Sequence, residues 1–154
     1  MSEISGAGVP AEKLVLIVDD DESLLEIMAH SIGKEGFRTE TALDGLEGLD
    51  KARKLQPDVL VLDLMLPGLG GYEVVRELMA SGHGGIPVIA ISGRNWDPSS
   101  FAVMRLESGI KEILVKPIGP SLLNLTLHKV LGTTPPMPTV GLRGTIPVPP
   151  PSLN

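Results

Sequence analysis

Between residues 13 and 116, short runs of Val, Ile and Leu alternate with stretches in which apolar residues recur every three to four positions. The runs KLVLIV, DVLVLDL, IPVIAIS and EILVK do not alternate apolar with polar residues, as expected of strands covered on both faces in a parallel sheet. A weaker fifth run, FRTETA, follows the turn at Gly36. Helical patterns lie between the runs. DESLLEIMAHSIGKEG sets Leu25, Met28 and Ile32 on one face and ends at Gly36, and DGLEGLDKARKL brings Leu46, Leu49 and Leu55 round near the 3.6-residue period. GGYEVVRELMASGHGG and PSLLNLTLHKVLG read the same way, each closing on glycine, and DPSSFAVMRLESG is the shortest predicted helix. Five strands alternating with five helices through short connections predict an α/β fold. The expected architecture is a doubly wound five-stranded parallel sheet with right-handed crossovers, whose ligands bind at the carboxyl ends of the strands.

Composition narrows this to a single core. A chain of 154 residues, 42% hydrophobic and 21% charged, is long enough for one domain and short for two. The expected boundaries are a flexible N-terminal segment over residues 1–11, the folded domain over 12–132 and a tail over 133–154. That tail holds seven of the fourteen prolines and shows no periodicity, so it should be extended and mobile, a tether before a ligand for proline-reading domains. It cannot bury a core of its own, so no DNA-binding or enzymatic output domain is expected in it. There is no cysteine, which excludes disulfides and thiolate metal sites. The start lacks a signal-peptide pattern, and no apolar run reaches the eighteen or so residues of a membrane helix, so the expected location is cytoplasmic with no membrane partner. A net charge of -6 argues against broad nucleic-acid binding, and no nucleic-acid partner is expected. Cations and basic protein surfaces fit that charge better.

The strand ends carry the candidate chemistry. Asp63 interrupts DVLVLDLMLPG at the carboxyl end of the third strand, and VDDD puts Asp19 and Asp20 at the end of the first. Two unit charges about 4 Å apart repel by roughly 4 kcal/mol at an effective dielectric near 20, so such a cluster takes up a proton or holds a cation. A hard divalent ion, Mg2+, suits carboxylates together with a backbone carbonyl, which Met65 can supply. Ser92 closes the fourth strand and Lys116 the fifth. Together these groups describe a phosphoryl site. Asp63 is the candidate nucleophile, Mg2+ and Lys116 neutralise charge on the transferring group, and Ser92 bonds a phosphoryl oxygen.

With LIVDDDESLL, DVLVLDLMLPGLGGYE, IPVIAISG and ILVKPI in order and in register, residues 12 to 132 resemble the receiver domain of two-component response regulators. The resemblance implies a flavodoxin-like sheet with strand order 2-1-3-4-5, with Asp63 as phosphoacceptor and Asp19 and Asp20 as the acidic pair that positions Mg2+. It also implies Ser92 as switch hydroxyl, Lys116 as the invariant-type lysine and a cis bond before Pro117. A histidine kinase or phosphotransfer protein would be the donor and an unnamed protein the downstream partner, making the chain a signalling module and not an enzyme. It would be a stand-alone receiver or one belonging to a hybrid kinase. Asp21 and Glu22 are expected to start the first helix.

The sequence departs from the family pattern at Gly70, where an acid often caps the third helix, at Ile113, where an aromatic is common, and at Gly93, the small residue after the switch hydroxyl. Ile113 cannot report by ring rotation, so the expected signal route runs through SGRNWDPSS, which carries Trp96, the only tryptophan. The three histidines are expected to be solvated or half-packed. Two other readings compete. A pseudo-receiver that only binds partners would leave the acid cluster without a role, and an aspartyl-phosphate phosphohydrolase would need a second acid at the place of Met65.

Overall fold

The computed structural model describes residues 8 to 93, 99, 102 and 109 to 136. The shortest predicted helix, Trp96 with its loop, residues 1 to 7 and residues 137 to 154 lie outside the described residues. The five strands are β1 (Leu14–Val18), β2 (Arg38–Ala42), β3 (Val59–Asp63), β4 (Val88–Ser92) and β5 (Ile110–Val115). They form one parallel sheet in the order β2-β1-β3-β4-β5, as the resemblance implied. Helices α1 (Glu22–Lys34), α2 (Gly45–Leu55), α3 (Gly71–Ala80) and α4 (Pro120–Leu131) are the described crossovers and C-terminal helix. Among the described residues no helix is long and apolar enough to cross a membrane.

The non-alternating strands follow from two cores. Successive strand residues point to opposite faces, and here both faces are covered. Leu16, Val18, Leu60, Leu62 and Ala90 meet Leu49 and Ala52 of α2 and Val74, Val75 and Leu78 of α3. On the other face Val15, Ile17, Val59, Val61, Ile89 and Ile91 meet Leu25, Met28 and Ile32 of α1 and Leu123 and Leu127 of α4. Every residue of β3 and β4 is buried, so a polar residue in them is costly unless partnered.

Three local expectations change. In α2 Leu49 alone of the three periodic leucines lies in the core: Leu46 is 68% and Leu55 42% exposed, and the buried positions are Gly45, Gly48, Leu49 and Ala52. These recur at i, i+3, i+4 and i+7, so the period is right but the face is set by small residues. A Cβ at Gly48 would come within 2.8 Å of Val18 Cγ2, which shows how closely the helix lies on β1. At the N-terminus, residues 8 to 11 were expected to be flexible. Instead Pro10–Glu12 form a 3-10 turn, Gly8 bridges Thr133, and Arg38 Nε donates to the Ala11 carbonyl at 3.2 Å. Proline at the first position of the turn pre-sets its backbone angle. Among the histidines, His30 is exposed and His83 half-buried, but His128 is buried, with Nε2 2.8 Å from Glu35 Oε1 and Nδ1 2.6 Å from Thr133 Oγ1. Its ring also lies against Phe37.

The helix starts follow their caps. Asp21 accepts from the Leu24 amide, so it caps α1 as expected, and Asp44 Oδ1 accepts from the Glu47 amide at 2.8 Å at the start of α2. Gly70 has no side chain with which to cap α3, but its own amide donates to Glu73 Oε1 at 2.7 Å, which keeps half of a capping box.

Candidate functional site

Parallel pairing brings the candidate residues to one edge. Asp63 is the last residue of β3, which lies between β1 and β4, so the residues after Val18 and at Ser92 flank it. The chain turns into Lys116 after β5, where its amide donates to the Ser92 carbonyl at 2.9 Å. The bond from Lys116 to Pro117 is cis.

Asp63 is 3% exposed and both its oxygens are engaged. Oδ1 accepts from the Met65 amide at 2.8 Å, and Oδ2 accepts from Lys116 Nζ at 3.0 Å. The same ammonium stands 3.3 Å from Asp19 Oδ2, while Asp19 Oδ1 accepts from the Asp21 amide at 2.8 Å. Asp20 is exposed, and one oxygen from each of Asp19, Asp20 and Asp63 falls within 4.8 Å of the others. The interruption of an apolar strand by Asp63 thus has a physical account: a cation and a backbone N–H compensate the buried carboxylate.

The compensation is incomplete at Asp19. Burial pushes its carboxyl above the usual range, the negative charge of Asp63 adds to this, and the Asp21 amide and Lys116 only partly oppose it. For Lys116, burial acts downward, but the hydrogen bond and charge of Asp63 and the charge of Asp19 outweigh it, so the ammonium is held above its usual value. Ser92 Oγ is buried at this edge with no hydrogen-bond partner, and Asp19 Oδ2, also buried, has only the shared Lys116 ammonium at 3.3 Å. Buried polar groups are nearly always satisfied, so such exceptions call for a reason. Three hard carboxylate donors sharing one ammonium suit a divalent cation of the Mg2+ type, which binds through one or two carboxylates and retains waters.

The structure therefore brings together Asp19, Asp20, Asp63 and Lys116, with the Met65 backbone against Asp63. Ser92 lies on the adjacent strand end, where its carbonyl accepts from the Lys116 amide but its hydroxyl makes no hydrogen bond to the cluster. Sequence reasoning missed that one lysine serves two acids, and that Asp19 rather than Asp20 carries the burial. The apolar residues KLVLIV before Asp19 were the available signal for the second point.

A pH-dependent expectation follows for the metal-free protein. The raised Asp19 carboxyl means that its ionised form weakens the fold above the raised range, and that the penalty fades as pH falls through that range towards the ordinary value of 3.8. In EDTA at neutral pH, Asp19→Asn should therefore melt roughly 2 to 5 °C above the unsubstituted protein, the shift that about 1 kcal/mol produces in a domain of this size. The advantage should shrink as pH is lowered. Thermal melts of both proteins across pH check this, and a gap that widens in acid would contradict it.

Comparison with known proteins agrees with the geometry. Residues 15–128 match the model of the response regulator receiver domain. The chain is 35% identical over 117 residues to the transcriptional regulatory protein AfsQ1 of Streptomyces coelicolor, covering 76% of this chain and 50% of that protein. It is 39% identical over 106 residues to the DNA-binding response regulator MtrA of Mycobacterium tuberculosis, covering 69% of this chain and 45% of that one. The chain thus spans about half the length of the curated relatives it matches. Among solved structures, the chemotaxis protein CheY4 of Vibrio cholerae is similar with a TM-score of 0.70 at 33% identity, over 77% of this chain and 98% of that chain. The Francisella response regulator 1452 receiver domain is similar with a TM-score of 0.71 at 27% identity, over 77% and 96%.

These relatives overturn one expectation. The net charge of -6 was read as excluding nucleic acid from the partners, yet MtrA is named a DNA-binding response regulator. The charge argument concerned direct contact with phosphates and was silent on recognition carried out by another part of the same system. A sheet in this order, an acid cluster at its carboxyl edge and a family match across most of the chain converge on one conclusion: the chain belongs to the response regulator receiver domain family.

Proposed function

We propose that this chain is a phosphorylation switch, not an enzyme, which takes a phosphoryl group onto Asp63 from a histidine kinase or phosphotransfer protein in the cytoplasm. The observation that carries this is the buried Asp63 carboxylate held by Lys116 at 3.0 Å inside a group of three converging acids. An oxygen of Asp63 attacks the phosphorus of a phosphohistidine. An O–P bond forms, the N–P bond breaks, and the imidazole departs as the leaving group, its nitrogen taking up a proton. Lys116 offsets charge on the phosphoryl oxygens, which is why its elevated basicity matters: it stays an ammonium throughout. Ser92 Oγ, which has no partner in the resting protein, is the hydroxyl that bonds a phosphoryl oxygen.

Asp19, Asp20, Asp63 and the backbone carbonyl of Met65 are the residues that would hold Mg2+. When bound, the ion supplies positive charge against the carboxylates and the phosphoryl oxygens. The phosphohydrolase reading finds no support at position 65, where an acid would be needed and an exposed methionine stands. For output we propose a DNA-binding effector, on the model of the MtrA relatives.

Incubation with acetyl phosphate and Mg2+, followed by intact-mass measurement, should show one added phosphoryl group, and EDTA should abolish it. Labelling that ignores EDTA would count against the metal. A second expectation concerns the switch hydroxyl. Trp96 fluorescence should change when beryllofluoride binds in the presence of Mg2+, and Ser92→Ala should reduce that change by half or more, because a charge-assisted hydrogen bond is roughly twice as strong as a neutral one. An unaltered response in the variant would remove Ser92 from the switch.

A further inference from the structure

The loop from Leu64 to Gly70 connects the phosphoacceptor to α3 and carries the Met65 backbone. Leu64 and Leu66 anchor its first half in the core, at 5% and 7% exposure, and the Met65 amide ties it to Asp63. Its second half, Pro67 to Gly70, is more exposed and includes Gly68 at φ 71, a left-handed backbone that suits glycine. Two glycines outside the loop hold its ends. At Gly71, the first residue of α3, a Cβ would overlap the carbonyl oxygen of Asp63 and stand 2.6 Å from Leu64 Cα. At Gly45, the first residue of α2, a Cβ would overlap the carbonyl oxygen of Leu69 and stand 3.2 Å from Leu69 Cβ. Contacts this close are with backbone, which cannot swing aside as a side-chain tip can. Gly45 is buried and Asp44 fixes the turn that contains it, so α2 cannot easily retreat.

We infer that Gly45 is a positioning residue for the site: the absence of a side chain there lets the first turn of α2 seat Leu69, and through it the loop that holds the Met65 backbone beside Asp63. This inference rests on the proposed Mg2+ site. A Cβ at position 45 pushes the Leu69 peptide outward. The displacement travels along four residues to Met65, whose carbonyl is the proposed ligand. Outer-shell partners of metal ligands commonly matter by this route.

Gly48 supplies the control. It lies on the same face of the same helix, and a Cβ there would also be too close, but to the Val18 side chain at 2.8 Å and not to the site loop. Mg2+ affinity by titration calorimetry and melting temperature in EDTA are measured for the unsubstituted chain, Gly45→Ala and Gly48→Ala. Both variants should melt lower, but Gly45→Ala should weaken Mg2+ roughly tenfold while Gly48→Ala leaves it within about twofold. Unchanged Mg2+ affinity in Gly45→Ala, or equal weakening in both variants, overturns the inference. Should Gly45→Ala not fold, Leu69→Ala, which removes the side chain that packs this end of the loop against the core, should weaken Mg2+ roughly tenfold, and unchanged affinity there also overturns it. If the unsubstituted chain binds no Mg2+, the proposed function fails first and the inference falls with it.

Discussion

Asp63→Asn should accept no phosphoryl group from acetyl phosphate or from a phosphorylated kinase. The amide is not a nucleophile under these conditions, yet its oxygen can still accept from the Met65 amide as Asp63 Oδ1 does at 2.8 Å, so the loop stays in place. Labelling should drop to background while the melting profile remains cooperative. Residual labelling at more than a few per cent would mean that another group takes the phosphoryl. Asp19 and Asp20 are the neighbouring carboxylates, and neither has a lysine hydrogen bond as good as that of Asp63.

Lys116→Met should have the second-largest effect, on both rate and stability. The methionine keeps much of the apolar stem and removes the ammonium that faces Asp63 at 3.0 Å and Asp19 at 3.3 Å. Loss of one preorganised electrostatic partner of a transferring group costs roughly 10²- to 10³-fold in rate. Loss of the cation from a buried pair costs about 3 kcal/mol, because the carboxylates remain buried. That second cost should appear in EDTA at neutral pH, fall in acid as the raised Asp19 carboxyl takes up a proton, and fall when Mg2+ is added. Single-turnover labelling rates and urea denaturation measure the two effects separately. A variant within twofold of the unsubstituted rate would show that Lys116 is a solvated strand end.

How much of this could be read from the chain depends on the kind of signal. The apolar runs of β1, β3 and β4 are unmistakable because burial on both faces removes nearly all polar positions except those with a task. At the sheet edge, β5 keeps Lys111 and Val115 exposed and is legible by its Ile and Leu alone. Asp63, Ser92 and Lys116 stood out because each is placed where an apolar run stops. The face of α2 was not legible, because Gly45, Gly48 and Ala52 pack by being small and Leu46 looks more like core than they do. Burial of His128 was also hidden, since its partners Glu35 and Thr133 are distant or late in the sequence and no periodicity links them. The division of charge within the cluster depended on Asp19 completing the inward-facing end of β1 while Asp20 turns out to solvent, a half-turn of backbone that spacing alone does not determine. The nucleic-acid expectation failed for a different reason: net charge describes what a surface attracts, and a switch need not touch what its system finally binds.

A phosphoryl group on the Asp63 carboxylate would be an acyl phosphate, whose chemistry differs from that of a phosphohistidine or a phosphoserine. An acyl phosphate is reduced by borohydride to the alcohol, which converts a phosphorylated aspartate into homoserine and leaves free aspartates unchanged. The protein should be labelled with acetyl phosphate and Mg2+, reduced, digested, and its peptides sequenced by mass spectrometry. Homoserine should appear at position 63 alone and vanish when EDTA is present during labelling. Homoserine at 19 or 20 with none at 63, or a phosphoryl group retained on a histidine through reduction, would contradict the account.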